Sequence, residues 1–484
     1  MSDPLVVTGF DLSAQGVEDV ARRGRRVELA PEAVERMAEG PRIVQEVVRT
    51  GSEVYGLTTG VGAHKRVSMS AAEMERFTHL LLPSHRVGQG PHASEDVVRA
   101  TLLWLVNAFA KGTNAVRPEL AQRLVDALNA GEQPAVRTLG SVGQADLAPM
   151  ADLAHAVVGD FALTRSETLS LVSSNAFATA IATLALADCR VLLESLEVCG
   201  ALDLEAFAAN LTIIHPAVAR ARPYPGLAAA VDRLRELLDG SYLWDEGAAR
   251  NLQDPLTFRT LPQVHGAARE ALGHAEAMMA IELNASQQNP LLVAEERRFI
   301  SVANFDVLPL AAALDLVRIA LAPALTSACE RSLKLLASQF SGLALGLSAD
   351  PSSPEDALSK FGVATAALTA EARLLAQPVS FEVATTSIAE GIEDRITMAP
   401  LGARRLDEMV GLGRRIAAIE LVIAAQAVDL RRPRALGRAT TKLHRLVRDT
   451  IPFTGAGDEP PQDLEPLVAL LRSGAVAACG RSAG

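Results

Sequence analysis

Seven short strings hold most of the residues able to do chemistry in this chain. In order they are YGLTTGVG (Tyr55–Gly62), LLLPSHRVGQG (Leu80–Gly90), GSVGQADLAP (Gly140–Pro149), QDPLTFRTLPQVHG (Gln253–Gly266), NPLLV (Asn289–Val293), NFD (Asn304–Asp306) and IEDRITM (Ile392–Met398). Tyr55 is one of three tyrosines and sits among glycines. A phenol on such a loop can exchange a proton with a ligand, although from the residues alone a packing or capping role is the simpler account. Lys65 and His64, just downstream, are placed to lower its pKa. Arg259 offers a planar fork that fits a carboxylate; its other reading is a surface ion pair. Glu393 and His85 are suited to the two nitrogens of an imidazole, while Glu393 is equally able to pair with Arg395. Asp306 precedes the apolar run VLPLAAALDLV, where a helix N-cap is expected, and a carboxylate there can equally face a cation.

The elements that must position these loops read as helices. The chain has 484 residues, 49% hydrophobic and 4% aromatic, ample for a large core and biased to helix over strand. A few short strands are expected before Val27. Helical patterns follow from Ala30 to a Gly stop at Gly51, from Ser70 to Leu82, from Ser94 to Phe109, and on to Ala130. Longer ones cover Leu169–Cys199, Leu227–Leu238, Gly266–Leu283, Leu308–Leu336, Ser359–Leu375 and Leu406–Val428. Apolar on most faces, they predict a bundle with neighbours on several sides. A hairpin is expected within Asn284–Asp306, and a surface excursion from Phe453 to Pro466. The division expected is 1–170, carrying the Tyr55 loop and the Gly140–Pro149 loop, and 171–484, the long-helix bundle with the remaining loops.

In this order the strings resemble the signature loops of the aromatic amino acid lyases, the histidine and phenylalanine ammonia-lyase family, over residues 30 to 430. The resemblance implies an all-α, long-helix bundle of the ammonia-lyase/fumarase-like type with a loop-rich N-terminal part. It implies a homotetramer whose active sites combine loops from several subunits. It gives Tyr55 the role of the base that removes a β-proton, and gives Arg259 with Asn175 the substrate carboxylate. Gln253, Asn304 and Phe305 are carried over as further binding residues; the amides' other reading is to tie backbone together, and that of Asn175 is a helix N-cap. Glu393 and His85 stand where the histidine type holds its ring. A phenyl ring would leave a buried Glu393 unpaired, at a cost of several kcal/mol.

One departure from the family is decisive. Its central loop contains Ala-Ser-Gly, which cyclises to methylidene-imidazolone (MIO), the electrophile that captures the amine. Here Gly143, Gln144, Ala145 and Asp146 leave only two residues between the flanking Gly and Asp, with no Ser to dehydrate and no Gly nitrogen to close the ring. No cofactor is therefore expected. MIO acts on an amine lone pair; a trimethylammonium has none and departs unaided as trimethylamine. Leu256, in place of the family's Tyr, adds room, and Asp306, in place of His, adds a carboxylate for a cation. The reading is MIO-independent elimination of trimethylamine from a histidine-derived betaine, ergothioneine to thiourocanate, with hercynine a near neighbour. The alternatives are a lyase or isomerase acting on another histidine-like or aromatic substrate, and a non-catalytic ligand-binding relative.

Other classes find little support. A formal net charge of −11 without a long basic run argues against nucleic acid. Cys189, Cys199, Cys329 and Cys479 lack metal-type spacing, so no metal is expected, and they read as the reduced thiols of a cytoplasmic protein. No signal peptide is expected from MSDPLVVTGFDLSAQG. The run Leu308–Leu325 carries Asp315 and Arg318, so it is expected to be a core helix and not a membrane span.

Overall fold

A computed structural model describes residues 3–62, 71–352, 357–380 and 391–481. His64 and Lys65 lie outside the described residues, as do Ser70 and the segment 381–390. The fold is all-α, with three two-stranded ribbons: Leu5–Val7 parallel to Val27–Leu29, Gln89–His92 antiparallel to Arg137–Leu139, and the expected hairpin Leu291–Val293 with Arg298–Ile300. Between the first two strands runs an unexpected helix, Ala14–Arg23, capped by the Ser13 hydroxyl on Gly16 N–H at 3.1 Å. Pro31–Thr50 ends where predicted. Gly51 turns left-handed (φ 69°) and its N–H closes on the Val47 and Val48 carbonyls.

The chain forms two compact units that do not follow a split at 170/171. The first gathers Met1–Ala185, Ala275–Leu314 and Pro378–Arg404; the second gathers Leu186–His274, Asp315–Gln377 and Arg405–Gly484. The physical reason is helix length. Ala176–Phe207, Leu261–Glu282, Leu308–Leu336 and Ala399–Arg431 each contribute residues to both units, so the chain returns twice to the first.

The first unit is built on Glu95–Ala110, buried from Val98 onward. Polar atoms it buries are answered: Trp104 Nε1 donates to the Glu282 carbonyl and Asn107 Nδ2 to the Leu283 carbonyl, each at 3.0 Å. The predicted helix Leu169–Cys199 is instead two, Arg165–Val172 and Ala176–Phe207. The Ser173-Ser174-Asn175 stretch breaks it, because outside groups claim its backbone. Asn175 N–H donates to Gln287 Oε1 (2.9 Å), and the Ser174 carbonyl accepts from Asp146 N–H (2.8 Å). Helix interiors are poor places for such side chains.

In the second unit the helical residues 186–207 and 405–431 supply much of the buried core. Arg331 is fully buried there and bonds Asp203 and Glu420, each at 2.6 Å. By length and composition the stretches Arg165–Phe207 and Leu308–Leu336 could each cross a membrane; the apolar window of the first is 89% buried inside the protein, as a core helix is. Arg318 bonds Asp315 within the second. The excursion after Phe453 is tethered by Gln426, which bonds both N–H and carbonyl of Thr454 at 3.1 and 2.8 Å.

Candidate active site

Six of the seven strings meet in the first unit around a cavity of about 680 Å³, within the range of small-molecule sites. Tyr55 lines it from the glycine-rich loop, and His85 from the end of the helix Ala71–His85. Gln144 and Ala145 line it from the degenerate loop, Phe305 and Asp306 from NFD, and Glu393, Asp394 and Arg395 from IEDR.

The Gly143–Asp146 segment is anchored at Gly143, Gln144 and Asp146. Gly143 has φ 79°, and a Cβ there would lie 2.3 Å from Thr397 Oγ1, so only glycine fits. Its carbonyl accepts from Thr397 Oγ1 at 2.7 Å. Gln144 bridges backbone to backbone with Asp306, and its Nε2 donates to Asp306 Oδ2 at 3.1 Å. Asp146 is wholly buried and accepts from the Ser141 hydroxyl (2.6 Å) and Ala178 N–H (2.7 Å). Burial pushes its carboxyl up to about 6, against the pull of those two bonds. The neighbouring Ser141 hydroxyl is thus engaged, and no serine stands between Gly143 and Asp146. These residues do not fit a methylidene-imidazolone.

Tyr55 accepts at its phenol oxygen from Gly62 N–H, 3.0 Å away. Burial raises the phenol above its ordinary value, the Gly62 bond opposes this, and the charge of Glu393 adds to the rise. The lowered phenol pKa expected from Lys65 and His64 therefore rests on residues outside those described, and the described surroundings act the other way. His85 Nδ1 is 2.8 Å from the Leu81 carbonyl, which only accepts, so Nδ1 carries hydrogen. A neutral His85 then offers Nε2 as an acceptor.

Asp306 caps a helix, one of its two expected roles, and its second oxygen is bonded by protein groups. Oδ1 accepts from Leu308 N–H at 3.1 Å at the start of Leu308–Leu336; Oδ2 accepts from Gln144 and from Arg395 Nε at 2.9 Å. Burial works to raise this carboxyl, but the bonds from Gln144, Arg395 and Leu308 outweigh it and hold the group low. Glu393 is exposed rather than buried, because the IEDR turn lies at the cavity rim, so the burial cost against a phenyl ring does not apply within one chain.

Asn175, Asn304, Gln253 and Arg259, expected to bind substrate, are not among the residues lining the cavity. Asn175 is fully buried and gives its amide to the Phe305 carbonyl at 2.5 Å, so it holds the NFD loop. Asn304 is exposed and ties to the Ser286 carbonyl at 3.2 Å. Gln253 and Arg259 belong to the second unit. Gln253 is exposed, and the Nε of Arg259 is buried without a hydrogen-bond partner among the described residues. Leu256, expected beside the trimethylammonium, is 62% exposed in that same stretch. Arg86 pairs with Asp152 at 3.3 Å, a structural contact. Sequence reasoning missed Ser173, whose buried hydroxyl has no hydrogen-bond partner among the described residues and which lines the cavity, and Asp394. The Glu-Asp-Arg run was the available signal for Asp394; a serine inside an apolar run gave none.

A family profile for aromatic amino acid lyase matches residues 12–163 and 160–449. The chain is 34% identical over 498 residues to a histidine ammonia-lyase of Symbiobacterium thermophilum, covering 98% of this chain and 97% of that one.

The chain belongs to the aromatic amino acid lyase family.

It is thus a lyase of the ammonia-lyase type, acting on carbon–nitrogen bonds. Among solved structures it resembles ergothionase from Treponema denticola, determined with desmethyl-ergothioneine sulfonic acid: TM-score 0.90, 28% identity, 98% of this chain and 99% of that one. It also resembles tyrosine aminomutase from Streptomyces globisporus, with TM-score 0.89, 27% identity and 98% coverage of both chains.

Proposed function

We propose that this lyase eliminates trimethylamine from a histidine-derived betaine, ergothioneine first among them, without MIO. The observation that carries the reading is Gln144–Ala145 in the cavity wall, in place of a ring-forming tripeptide. A second supports it. The cavity is lined by three carboxylates, of Asp306, Glu393 and Asp394, against one guanidinium, that of Arg395. Such a wall favours a cation. The likeness to ergothionase points the same way.

In this mechanism Tyr55, as phenolate, takes the β-proton. The C–H pair becomes the Cα=Cβ bond, and the Cα–N pair leaves with neutral trimethylamine. Burial disfavours the phenolate in the free enzyme; the substrate's fixed positive charge beside it restores it. His85 Nε2 accepts from a ring N–H, and Glu393 takes the other side. Gln253 and Arg259 act from another copy in a cytoplasmic homotetramer, Arg259 on the carboxylate. The exposed apolar Leu252, Leu256, Leu316 and Ile319 support burial between copies.

The test is incubation of purified protein with ergothioneine, hercynine and histidine, following trimethylamine and the long-wavelength absorbance of thiourocanate. Trimethylamine from a betaine, with no ammonia from histidine, is expected. Release from neither betaine sinks the reading. The exposure of Glu393 favours a second reading, a betaine with a different aromatic ring; turnover of such a betaine and not of the histidine ones would establish it.

A further inference from the structure

Arg165 opens the helix Arg165–Val172, yet the start of that helix is fixed without its side chain. The Thr164 hydroxyl and the Glu167 carboxylate cap it reciprocally, and Arg117 Nε bonds Glu167 at 2.7 Å. The Arg165 guanidinium serves another loop. Its Nε donates to the Gly56 carbonyl at 2.6 Å, and Nη2 donates to the Thr59 carbonyl. These carbonyls bracket the turn that follows Tyr55, and Gly62, at the end of the same loop, bonds the Tyr55 phenol oxygen. A planar fork spans two acceptors at a set separation, which a single ammonium does not. One helical turn on, Leu169 Cδ2 lies 2.7 Å from where a Cβ on Gly56 would stand, so the loop is seated closely on this helix.

The same guanidinium lies over the Phe77 ring, 4.8 Å from its centroid. Phe77, Leu81 and His85 follow at four-residue spacing on the helix Ala71–His85 and share a face. Leu81 and His85 line the cavity, whereas Arg165 is not among its lining residues. Arg165 thus touches both the loop that carries the proposed base and the helix that carries the proposed ring-binding histidine.

We propose that Arg165 is a positioning residue that fixes the Tyr55 loop against the His85 helix. It thereby sets the reach of the phenol toward the β-carbon of a ligand whose ring His85 engages. Its effect on rate rests on the betaine reading; the fixing of the loop does not. A base displaced by about an ångström loses rate while the ligand still binds.

The experiment compares full-length wild type with Arg165→Met, which loses both donors, and Arg165→Lys, which can serve one carbonyl. Amide hydrogen exchange of the peptide spanning 54–62 reads the loop without any ligand. The kcat and KM for ergothioneine and hercynine read the consequence. In Arg165→Met these amides should exchange about tenfold faster, with the urea midpoint unchanged. Its kcat should fall about 10- to 100-fold with KM held within about threefold, and Arg165→Lys should lie between. Unchanged exchange, or an unchanged kcat, overturns the proposal. Faster exchange across the whole first unit with a lower urea midpoint also overturns it, since Arg165 would then be a general structural tie. If wild type releases trimethylamine from neither betaine, the betaine reading fails, and faster exchange confined to 54–62 still supports the positioning role.

Discussion

The molecule handles charge in two opposite ways. In the second unit, Arg331, Asp203 and Glu420 are fully buried and bonded to one another, with His265 sealed in the same unit at 1% exposure. In the cavity of the first unit, Asp306 and Arg395 pair in partial contact with solvent, beside two further carboxylates. The sealed charges cannot be removed singly without stranding the others. The open ones add little to stability and lie in the cavity wall. Burial, more than the number of charges, separates structural from functional roles here.

Tyr55→Phe should have the largest effect. Turnover should fall by ~10²–10⁴, as for loss of a general base, while hercynine affinity holds and the far-ultraviolet dichroism is unchanged. In wild type, kcat/KM should rise with pH as Tyr55 loses its proton, and the midpoint of that rising limb should lie above the ordinary phenol range, because burial raises Tyr55 in the free enzyme. The limb of kcat, with the cation bound, should lie lower. Coincident limbs would remove the cation from the argument.

The sealed cluster should be costly to breach. Arg331→Leu should lower unfolding free energy by about 3–5 kcal/mol, read from the urea midpoint; a loss near that of an exposed pair would erase the contrast.

Two buried groups should impose pH slopes of opposite sign. His265 is ordinarily protonated near 6.5, but burial, with the charges of Arg331 and Arg269, pushes it down to about 3. The unfolded chain then takes the proton first, so stability is complete above 6.5 and is lost as the pH falls toward 3, by up to about 4–5 kcal/mol. Asp146 goes from 3.8 up to about 6 on folding, so its contribution is fully present below 3.8 and fades as the pH rises to 6, by about 3 kcal/mol at most. Denaturation of His265→Phe and Asp146→Asn across pH 3 to 7 should flatten the respective slopes; unchanged slopes would mean that burial is not what holds these groups.

Asp306→Asn should change stability least, by less than about 1 kcal/mol, since asparagine also caps and the ion pair is exposed. A loss as large as that of Arg331→Leu would place Asp306 with the sealed charges.

The loops were more legible than their assembly. Tyr55, His85, Gln144, Ala145, Phe305, Asp306 and Glu393 line one cavity because each string carries its own glycines and polar residues to a helix end. Arg259 and Gln253 did not join them, since residue type says nothing about which unit or copy a loop serves. Asn175 has the right amide, but the Phe305 carbonyl claims it, and such a backbone partner leaves no mark in the sequence. The long helices were readable from apolar periodicity, yet the break at Ser173–Asn175 was not, because Gln287 and Asp146, distant in sequence, enforce it.

The anchored loop between Gly143 and Asp146 also has a fixed length. To hold a three-residue ring-former it would need an insertion, not a substitution. Thr397 grips the Gly143 carbonyl, Asp306 bridges Gln144, and Ser174 holds the Asp146 amide. An added residue would have to be taken up beside Ala145, which lines the cavity, so the length of this loop and the space left for a ligand are coupled.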